Sequence, residues 1–257
     1  MRSIDEIISG TQPRPVIIAH RGASHYHQEN TMESFEAAVE MRAEMMEFDV
    51  RRTADNVLVI HHDFDFAGSE IKAVSIKQVE EKAEAAGYRI PTLVDVLQLC
   101  KDKILLDIEL KEAGYEEQVL ETVLGILEPE QFVISSGIDG AIRKIKDINP
   151  AIRTGLLVGD RPRRQLLSNL YPGRRVRRTG ADVLVVSSKL LKLGFLSTTR
   201  NLGLPVWVYT VNDRKELWKL ITDERVGAIF TDRPDVGLFL RDLYGVQNTH
   251  VPEGKEE

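Results

Sequence analysis

The sequence predicts an α/β fold, a TIM (β/α)8 barrel with a short cap insertion after the second strand. Eight short runs rich in Val, Ile and Leu recur along the 257 residues, and most are near-continuously apolar, as expected of parallel strands covered on both faces. Amphipathic segments lie between these runs, and eight such alternations in about 250 residues are typical of this barrel. A doubly wound open sheet is the main competing fold, but no Gly-rich dinucleotide-binding loop follows any of the runs.

The eight predicted strands follow one another along the whole chain. They are residues 15–20, 46–50, 104–110, 132–136, 153–158, 182–187, 206–211 and 228–231. A ninth apolar run at residues 57–62 follows the second strand so closely that it is either an extension of that strand or its hairpin partner. The longest connection beside a strand end comes next, and it predicts a small cap over about residues 64–91.

Helix start signals stand between the predicted strands. Asn30 and Glu33 have the spacing of a capping box and precede an amphipathic segment. Pro91 and Thr92 open a second apolar segment, and Asp213 is placed as the N-cap of a third. These signals fall where a barrel requires a helix after a strand.

Charge and composition indicate one globular domain without a nucleic-acid partner. The formal net charge is −6, but residues 1–130 carry −13 and residues 131–257 carry +7, so a domain-wide basic footprint for nucleic acid is absent. No composition break marks a second domain. We therefore expect one barrel over residues 1–247 and a flexible polar tail over residues 248–257.

The chain carries no sign of export or membrane insertion. Its first residues have no apolar run of signal-peptide length, and no stretch approaches 18 uncharged apolar residues. The single cysteine, Cys100, lies in a helical apolar pattern and is expected to be a core residue. These features predict a cytoplasmic protein, and they specify no oligomeric state.

Charged residues interrupt two of the predicted strands near their C-terminal ends. Glu47 and Asp49 stand two apart on the second strand, and Glu109 and Lys111 stand two apart at the third. A period of two places each pair on one face, at the end of a barrel where catalytic residues gather. Converging carboxylates repel one another unless a cation holds them, and oxygen ligands favour Mg²⁺ or Ca²⁺. Ion pairs with neighbouring basic side chains explain the same pattern equally well.

Two strand ends also carry histidine. His20 and Arg21 end the first strand, and His61 and His62 end the run after the second. Two histidines beside a carboxylate cluster indicate an acid–base pair, and the guanidinium of Arg21 suits a phosphate oxygen. The set fits cleavage of a phosphate ester, although alternation does not choose between His61 and His62.

At this point the residues resemble a known family, the glycerophosphodiester phosphodiesterases, from His20 to about Pro234. The matching motifs are His20-Arg21-Gly22 with Glu29-Asn30-Thr31, Glu47-Phe48-Asp49-Val50, His62-Asp63, Pro91-Thr92-Leu93, Ile108-Glu109-Leu110-Lys111, Val211-Asn212 and Thr231-Asp232-Arg233-Pro234. The resemblance implies a TIM barrel that hydrolyses small-molecule glycerophosphodiesters to glycerol 3-phosphate and an alcohol with a divalent cation, Mg²⁺ or Ca²⁺.

The resemblance also implies roles for eight residues. It makes His20 and His62 the general acid and base, which settles the second histidine. It places the metal on three carboxylates, Glu47, Asp49 and Glu109. Arg21 and Lys111 would lie near the phosphate, with Glu29 as a supporting residue behind them.

Departures from the family pattern concern the leaving-group side of the pocket. Residues 42–44 read Arg-Ala-Glu instead of Gly-Ala-Asp, residues 64–67 replace a common Arg-Thr pair, and Tyr209 replaces the usual Trp. One alternative is a lysophospholipase D-like activity, with Phe64, Phe66 and Trp207 lining an acyl groove. Another is a catalytically silent regulator that binds phosphodiesters.

A basic segment in the second half stands outside these roles. Residues 161–178 contain seven arginines and no acid. The first arginines, from Arg161 to Arg164, follow a strand and are predicted on the catalytic face, whereas those from Arg174 to Arg178 precede the next strand and are predicted on the opposite face. A solvated surface is favoured about two to one over contact with an anion or with a membrane surface.

Overall fold

The structure is a computed structural model that describes residues 3–9, 15–159, 166–191 and 194–249. Its strands are β1 Val16–His20, β2 Met45–Arg52, β3 Leu58–Ile60, β4 Asp65–Phe66, β5 Ser69–Glu70, β6 Leu105–Leu110, β7 Phe132–Ser136, β8 Thr154–Val158, β9 Val183–Ser187, β10 Val206–Tyr209 and β11 Val226–Thr231. Arg161, Arg163 and Arg164 and residues 250–257 lie outside the described residues.

The helices alternate with the strands. They are α1 Ile4–Ile8, α2 Met32–Glu40, α3 Ile76–Ala85, α4 Leu93–Cys100, α5 Glu116–Leu124, α6 Asp139–Ile148, α7 Leu166–Leu170, α8 Gly173–Thr179, α9 Ser188–Leu191, α10 Phe195–Thr199, α11 Arg214–Ile221 and α12 Pro234–Thr249, with 3₁₀ turns at Ile71–Ala73, Pro129–Gln131 and Arg200–Leu202. The last helix continues two residues past 247, the predicted end of the barrel domain.

Eight parallel strands form a closed barrel, which confirms the predicted fold. They are hydrogen-bonded in the order β1, β2, β6, β7, β8, β9, β10 and β11, and β11 pairs back onto β1. β3 runs antiparallel to β2, with Val50 opposite Ile60, so the ninth apolar run is a hairpin partner. The eight predicted runs all became strands of the barrel because each is buried on both faces.

An apolar cluster fills the N-terminal part of the barrel interior. Met45, Leu105 and Trp207 are buried there, and Ile4 and Ile7 of α1 belong to the same cluster. These strand residues precede the charged positions of their strands, so α1 closes the bottom of the barrel. The carboxylates and histidines are consequently left at the opposite, C-terminal end.

The cap predicted after the second strand is present and small. β4 and β5 form a hairpin, and α3 follows the 3₁₀ turn. Val79 and Ala83 of α3 pack on Ile71, Ile90 and Val59 of β3. This separate small core fixes the cap on the barrel beside the end of β2.

The helices begin where the sequence predicts them, but one N-cap lies one residue later than predicted. Thr92 and Asp213 are N-caps as predicted. The N-cap of α2 is Thr31, which forms its capping box with Ser34 rather than with Glu33. Asn30 has a φ of 58° and uses its side chain elsewhere.

Candidate active site at the C-terminal end of the barrel

Strand register brings the predicted site residues into two neighbouring rows. His20 of β1 is opposite Glu47 of β2, and Glu47 is opposite Asp107 of β6. Asp49 and Glu109 are opposite each other, one side-chain row closer to the C-terminal end. The pleat points these alternate residues to the barrel interior, so residues far apart in the sequence share one site.

The three predicted metal ligands converge. Glu47, Asp49 and Glu109 each offer a carboxylate oxygen, and these oxygens lie within 4.8 Å of one another. Burial raises the pKa of Glu47 well above its usual range, and the charge of Asp49 raises it further. Burial also raises the pKa of Glu109. Burial acts in the same direction on Asp49, but Lys111 and Arg21 outweigh it and hold the pKa of this carboxyl below its usual range.

Two cations accompany the carboxylates without neutralising all of them. Lys111 Nζ is 2.8 Å from Glu109 Oε1 and 3.2 Å from Asp49 Oδ1, and Arg21 Nε is 3.1 Å from Asp49 Oδ2. Of the ion-pair partners expected from the sequence, Lys111 pairs with these carboxylates, whereas Arg51 pairs with Glu112. Arg21 is a partner that was not expected. Glu47 and Asp49 are buried and Glu109 is largely buried. Three such carboxylates against two cations leave a surplus of negative charge, which is costly unless another cation binds.

The donor set fits a hard divalent cation. All three converging groups are carboxylates, which is the ligand chemistry of Mg²⁺ and Ca²⁺ and not that of a zinc site built from Cys or His. Oδ1 of Asp49 is buried and has the ammonium of Lys111 at 3.2 Å as its charged partner. A carboxylate oxygen has two lone pairs, so Oδ1 retains one acceptor position for a cation.

Arg21 is held by contacts at both its backbone and its side chain. Its backbone N–H donates to Glu47 Oε2 at 3.0 Å, at a φ of 56° that turns the chain after β1. Its Nη1 donates to both carboxylate oxygens of Glu29, at 2.8 and 2.9 Å. Glu29 thus holds the guanidinium of Arg21 through both of its carboxylate oxygens.

His20 is fixed at one nitrogen and faces the carboxylates with the other. Nδ1 lies 2.7 Å from Asp232 Oδ1, just after β11. Nε2 lies 4.0 Å from Glu47 Oε2 and 3.4 Å from the hydroxyl of Thr210. Asp232 in turn accepts a hydrogen bond from Asn212, so His20 is oriented with Nε2 available to the site.

His62 and His61 occupy different environments. Nδ1 of His62 lies 2.8 Å from Asp63 Oδ1, and burial together with the charge of Lys111 lowers its pKa. The ring of His61 instead packs edge-on against Phe66 of the cap, with centroids 5.2 Å apart. The ring of His61 therefore packs against the cap, and His62 remains the candidate for proton transfer.

Sequence reasoning missed two supporting residues of this site. Asp232 was noticed only as part of a motif, and its contact with His20 spans 212 positions. Asn30 was taken for a helix cap, but its Nδ2 donates to Asp49 Oδ2 at 2.8 Å. A polar residue directly after the last predicted strand was a signal for Asp232, whereas nothing local marks the role of Asn30.

Asp107 is a third missed residue, one row below the metal-ligand candidates. Burial raises its pKa to about 8, against the opposing effect of the Ser135 hydroxyl, and both of its carboxylate oxygens are shielded from solvent. It lines a cavity of about 20 Å³ together with His20, Glu47 and Ser135. This volume accommodates about one water molecule. Asp107 stands two positions before Glu109, so the same period of two would have found it.

The aromatic residues considered for an acyl groove do not form one. Trp207 is fully buried in the barrel interior, and Phe66 packs on the cap between His61 and Tyr88. Phe64 is 45% exposed, but Lys72 Nζ lies 4.9 Å from its ring centroid. The alternative of a lysophospholipase D-like pocket therefore gains no support from these three residues.

The prediction for the second group of arginines is wrong. Arg175 donates to the carbonyl oxygens of Gly137, directly after β7, and of Leu157 near the end of β8. These carbonyls lie at the C-terminal end of the barrel, so Arg175 reaches the catalytic face rather than the opposite one.

In the parts of the chain that the structure describes, no helix has the length and apolar character needed to cross a membrane.

Comparisons with known proteins agree with this site. The model of the glycerophosphoryl diester phosphodiesterase family matches residues 20–236. The chain belongs to this family. It is 34% identical over 241 residues to a glycerophosphodiester phosphodiesterase of Caldanaerobacter subterraneus subsp. tengcongensis, covering 86% of this chain and 96% of that protein. As the sequence predicted, it is an enzyme, a phosphoric diester hydrolase.

Solved structures of the family have the same fold. A glycerophosphodiester phosphodiesterase from Parabacteroides distasonis superposes with a TM-score of 0.76 at 26% identity, over 90% of this chain and 98% of that one. A phosphodiesterase from Oleispira antarctica, solved in complex with the product sn-glycerol-3-phosphate, superposes with a TM-score of 0.73 at 23% identity, over 89% and 97%. The alignments span nearly the whole of both neighbours, so the predicted family and fold are confirmed.

Proposed function

We propose that this enzyme hydrolyses glycerophosphodiesters to glycerol 3-phosphate and an alcohol, with His20 and His62 as the acid–base pair. The observation that carries the proposal is the convergence of Glu47, Asp49 and Glu109 within 4.8 Å, with Nε2 of His20 4.0 Å from Glu47 Oε2. A phosphodiester in this position meets cations, a proton donor and a proton acceptor together. The product complex of the Oleispira antarctica phosphodiesterase supports glycerol 3-phosphate as the product.

In this proposal Glu47, Asp49 and Glu109 hold one divalent cation, Mg²⁺ or Ca²⁺. When bound, the cation would supply Lewis-acid polarisation of the phosphodiester and would lower the pKa of a hydroxyl bound to it. Lys111 and Arg21 offset the remaining carboxylate charge and present donors toward the phosphate.

The two histidines share the proton transfers. One imidazole accepts the proton of the attacking hydroxyl or water, and the other protonates the departing alkoxide. Asp232 and Asp63 each bind the Nδ1 of their histidine at 2.7 and 2.8 Å. Each imidazole is thereby kept in the orientation in which Nε2 exchanges the proton.

A substrate panel tests this function. Glycerophosphocholine, glycerophosphoethanolamine, glycerophosphoglycerol and a lysophospholipid are each incubated with Mg²⁺ or Ca²⁺, and glycerol 3-phosphate is measured. We expect release from the three glycerophosphodiesters, none after EDTA, and little activity on the lysophospholipid. Activity that resists EDTA would refute the metal site, and no turnover of any diester would favour the silent regulator.

A single substitution tests the carboxylate ligands. Glu47→Gln removes one charged ligand, and we expect the cation concentration for half-maximal activity to rise about tenfold or more. Glu121→Gln, an exposed position on α5, is the matched control and should leave the cation dependence unchanged. An unchanged dependence in Glu47→Gln would contradict the assignment.

The cytoplasmic location remains our proposal from the sequence.

A further inference from the structure

The arginines of α8 form a cluster that the proposed reaction does not use. Gly173–Thr179 contains Arg174, Arg175, Arg177 and Arg178 and no acid. Like charges three and four residues apart on a helix repel each other, and a cation in the first turn opposes the helix dipole. Arg177 and Arg178 stand in the last turn, where the dipole favours cations, but the dipole does not account for Arg174 and Arg175 in the first turn.

These arginines surround a cavity of about 840 Å³. Its described lining is Gly137, Asp139, Ser168, Asn169, Arg174, Arg175, Arg177 and Arg178. Four guanidinium groups face one carboxylate, so the lining carries a formal charge of +3. A concave, strongly positive surface of this kind attracts anions and matches phosphate oxygens through bidentate hydrogen bonds.

Two of the four arginines are explained by the fold and two are not. Arg175 binds Asp139 at 2.7 Å and Asn169 at 3.0 Å, and Arg178 also pairs with Asp139. Arg174 and Arg177 are exposed and form no ion pair with any residue in the described ranges. Their guanidinium groups are therefore free to bind a ligand.

The cavity lies on the catalytic face of the barrel, since Arg175 in its lining binds carbonyls at the ends of β7 and β8. The carbonyl of Leu157 accepts from Arg175, while Leu157 also lines the small cavity shared by His20, Glu47 and Glu109. β8 is two strands from β6, which carries Glu109, and two strand spacings amount to about 10 Å. A phosphate bound by the arginines thus lies about 10 Å or more from a phosphodiester at the carboxylates.

Phe64, the most exposed aromatic residue of the cap, already has cations against its ring. Phe64 follows His62 closely, but its ring already has Lys72 Nζ at 4.9 Å and the guanidinium of Arg51 at 5.9 Å from its centroid. A quaternary ammonium needs such a face free of other cations. The ring of Phe64 therefore has no free face for a cationic head group.

We propose that the cavity at α8 binds a second phosphate of the substrate. The preferred substrates would be glycerophosphodiesters whose alcohol is a phosphorylated polyol, with its phosphate about 10 Å or more from the bond that is cleaved. Arg174 and Arg177 bind this phosphate and thereby lower KM without taking part in the chemistry. The inference rests on the proposed hydrolysis of glycerophosphodiesters.

The test compares two substrates that differ by one phosphate, glycerophosphoinositol and glycerophosphoinositol 4-phosphate. We expect the enzyme to favour the phosphorylated diester in kcat/KM by about tenfold or more, mainly through KM. The double variant Arg174→Ala/Arg177→Ala should lose this preference and keep its activity on glycerophosphoinositol. Arg143→Ala/Lys144→Ala removes two exposed cations from α6 and should change neither value.

Several results would overturn the inference. Equal kcat/KM on the two diesters in the unmodified enzyme would do so, as would a preference that survives in the double variant. Sedimentation with vesicles of phosphatidylglycerol and phosphatidylcholine is run in parallel. If the double variant loses vesicle binding but keeps its kinetics on the phosphorylated diester, the arginines serve a membrane surface instead.

A binding measurement separates this inference from the proposed function. If the enzyme hydrolyses neither diester with added cation, the proposed function fails. Calorimetric binding of inositol 1,4-bisphosphate then still reports on the cavity, and the double variant must bind it about tenfold more weakly. Equal affinity in the two proteins overturns the inference whatever the activity.

Discussion

Two arcs of the barrel mouth carry dense charge in opposite ways. The arc of β1, β2 and β6 buries Glu47, Asp49 and Glu109 among Arg21 and Lys111. The arc of β7 and β8 is covered by four arginines and Asp139, and most of that cluster is exposed to solvent. The first arc has a surplus of negative charge and the second a surplus of positive charge.

The difference in burial separates two kinds of function. Buried charges act on one another in a low local dielectric, so changing one alters the others and the chemistry they support. Exposed charges are screened by salt and contribute to attraction more than to catalysis. Substitutions in the first arc should therefore have large effects on kcat, and those in the second small effects confined to binding or stability.

The sharpest test of this contrast is removal of the two histidines. We expect His20→Ala and His62→Ala each to lower kcat about 10²- to 10⁴-fold, because each removes a proton-transfer group. His27→Ala, in the exposed loop after β1, is the matched control and should retain wild-type turnover. Near wild-type activity in either catalytic variant would remove that histidine from the mechanism.

A diester with a good leaving group assigns the two roles. Departure of p-nitrophenol needs no proton from the enzyme, since the phenolate is already stable. The variant that lost the general acid should therefore regain much of its activity on glycerophospho-p-nitrophenol, whereas the variant that lost the base should not. Equal recovery of both variants would contradict a division into acid and base.

A smaller effect is expected from Asp232→Asn, which leaves both imidazoles in place. Asp232 binds Nδ1 of His20, and its loss permits the ring to rotate or to change tautomer. We expect kcat to fall about a hundredfold, as misplacement of a reacting group does, with a shifted limb in the pH–rate profile. Asp235→Asn, whose carboxylate binds Tyr26 instead, should not shift the profile. An unchanged profile in Asp232→Asn would refute its role.

Much of the fold was predictable because strands of a buried parallel sheet are recognisable in the sequence as short continuous apolar runs. Residues 132–136 were predicted as a strand and form β7 with the same bounds. The barrel, the hairpin partner and the carboxylate pairs follow from continuous apolar runs and a period of two. The cap was predicted from the length of one connection, although nothing in its sequence specified the hairpin of β4 and β5.

Contacts between distant residues and the reach of long side chains were not predictable. Asparagine is a common helix-capping residue, so the sequence suggested that role for Asn30. Only the folded chain shows that its side-chain amide donates to the carboxylate of Asp49. Arg175 was predicted on the face opposite the catalytic one because its backbone precedes β9. Helix side chains point back toward the N-terminus, and the long stem of arginine carried its guanidinium to the carbonyls at the ends of β7 and β8.

The smallest expected effect lies in the second arc, at Asp139. Burial would raise the pKa of this carboxyl, but hydrogen bonds from Arg175 and Arg178 outweigh burial and lower it. A lowered pKa in the folded state stabilises the protein above the unfolded value of about 4, and this contribution is lost as the pH falls through the folded value. Asp139→Asn should therefore reduce the free energy of unfolding at pH 7 by about 1–3 kcal/mol, and the deficit should shrink below about pH 4.

Urea unfolding between pH 3 and pH 8 measures this effect on Asp139→Asn. Asp147→Asn is the control, because Asp147 pairs with the exposed Arg143, and an exposed pair contributes about 0–1 kcal/mol. Activity on glycerophosphocholine should be unchanged in both variants, since neither residue lies in the first arc. A deficit in Asp139→Asn that is the same at pH 3 and pH 7 would show that the charge of Asp139 does not stabilise the arginine cluster. A large loss of kcat would show that the two arcs do not act separately.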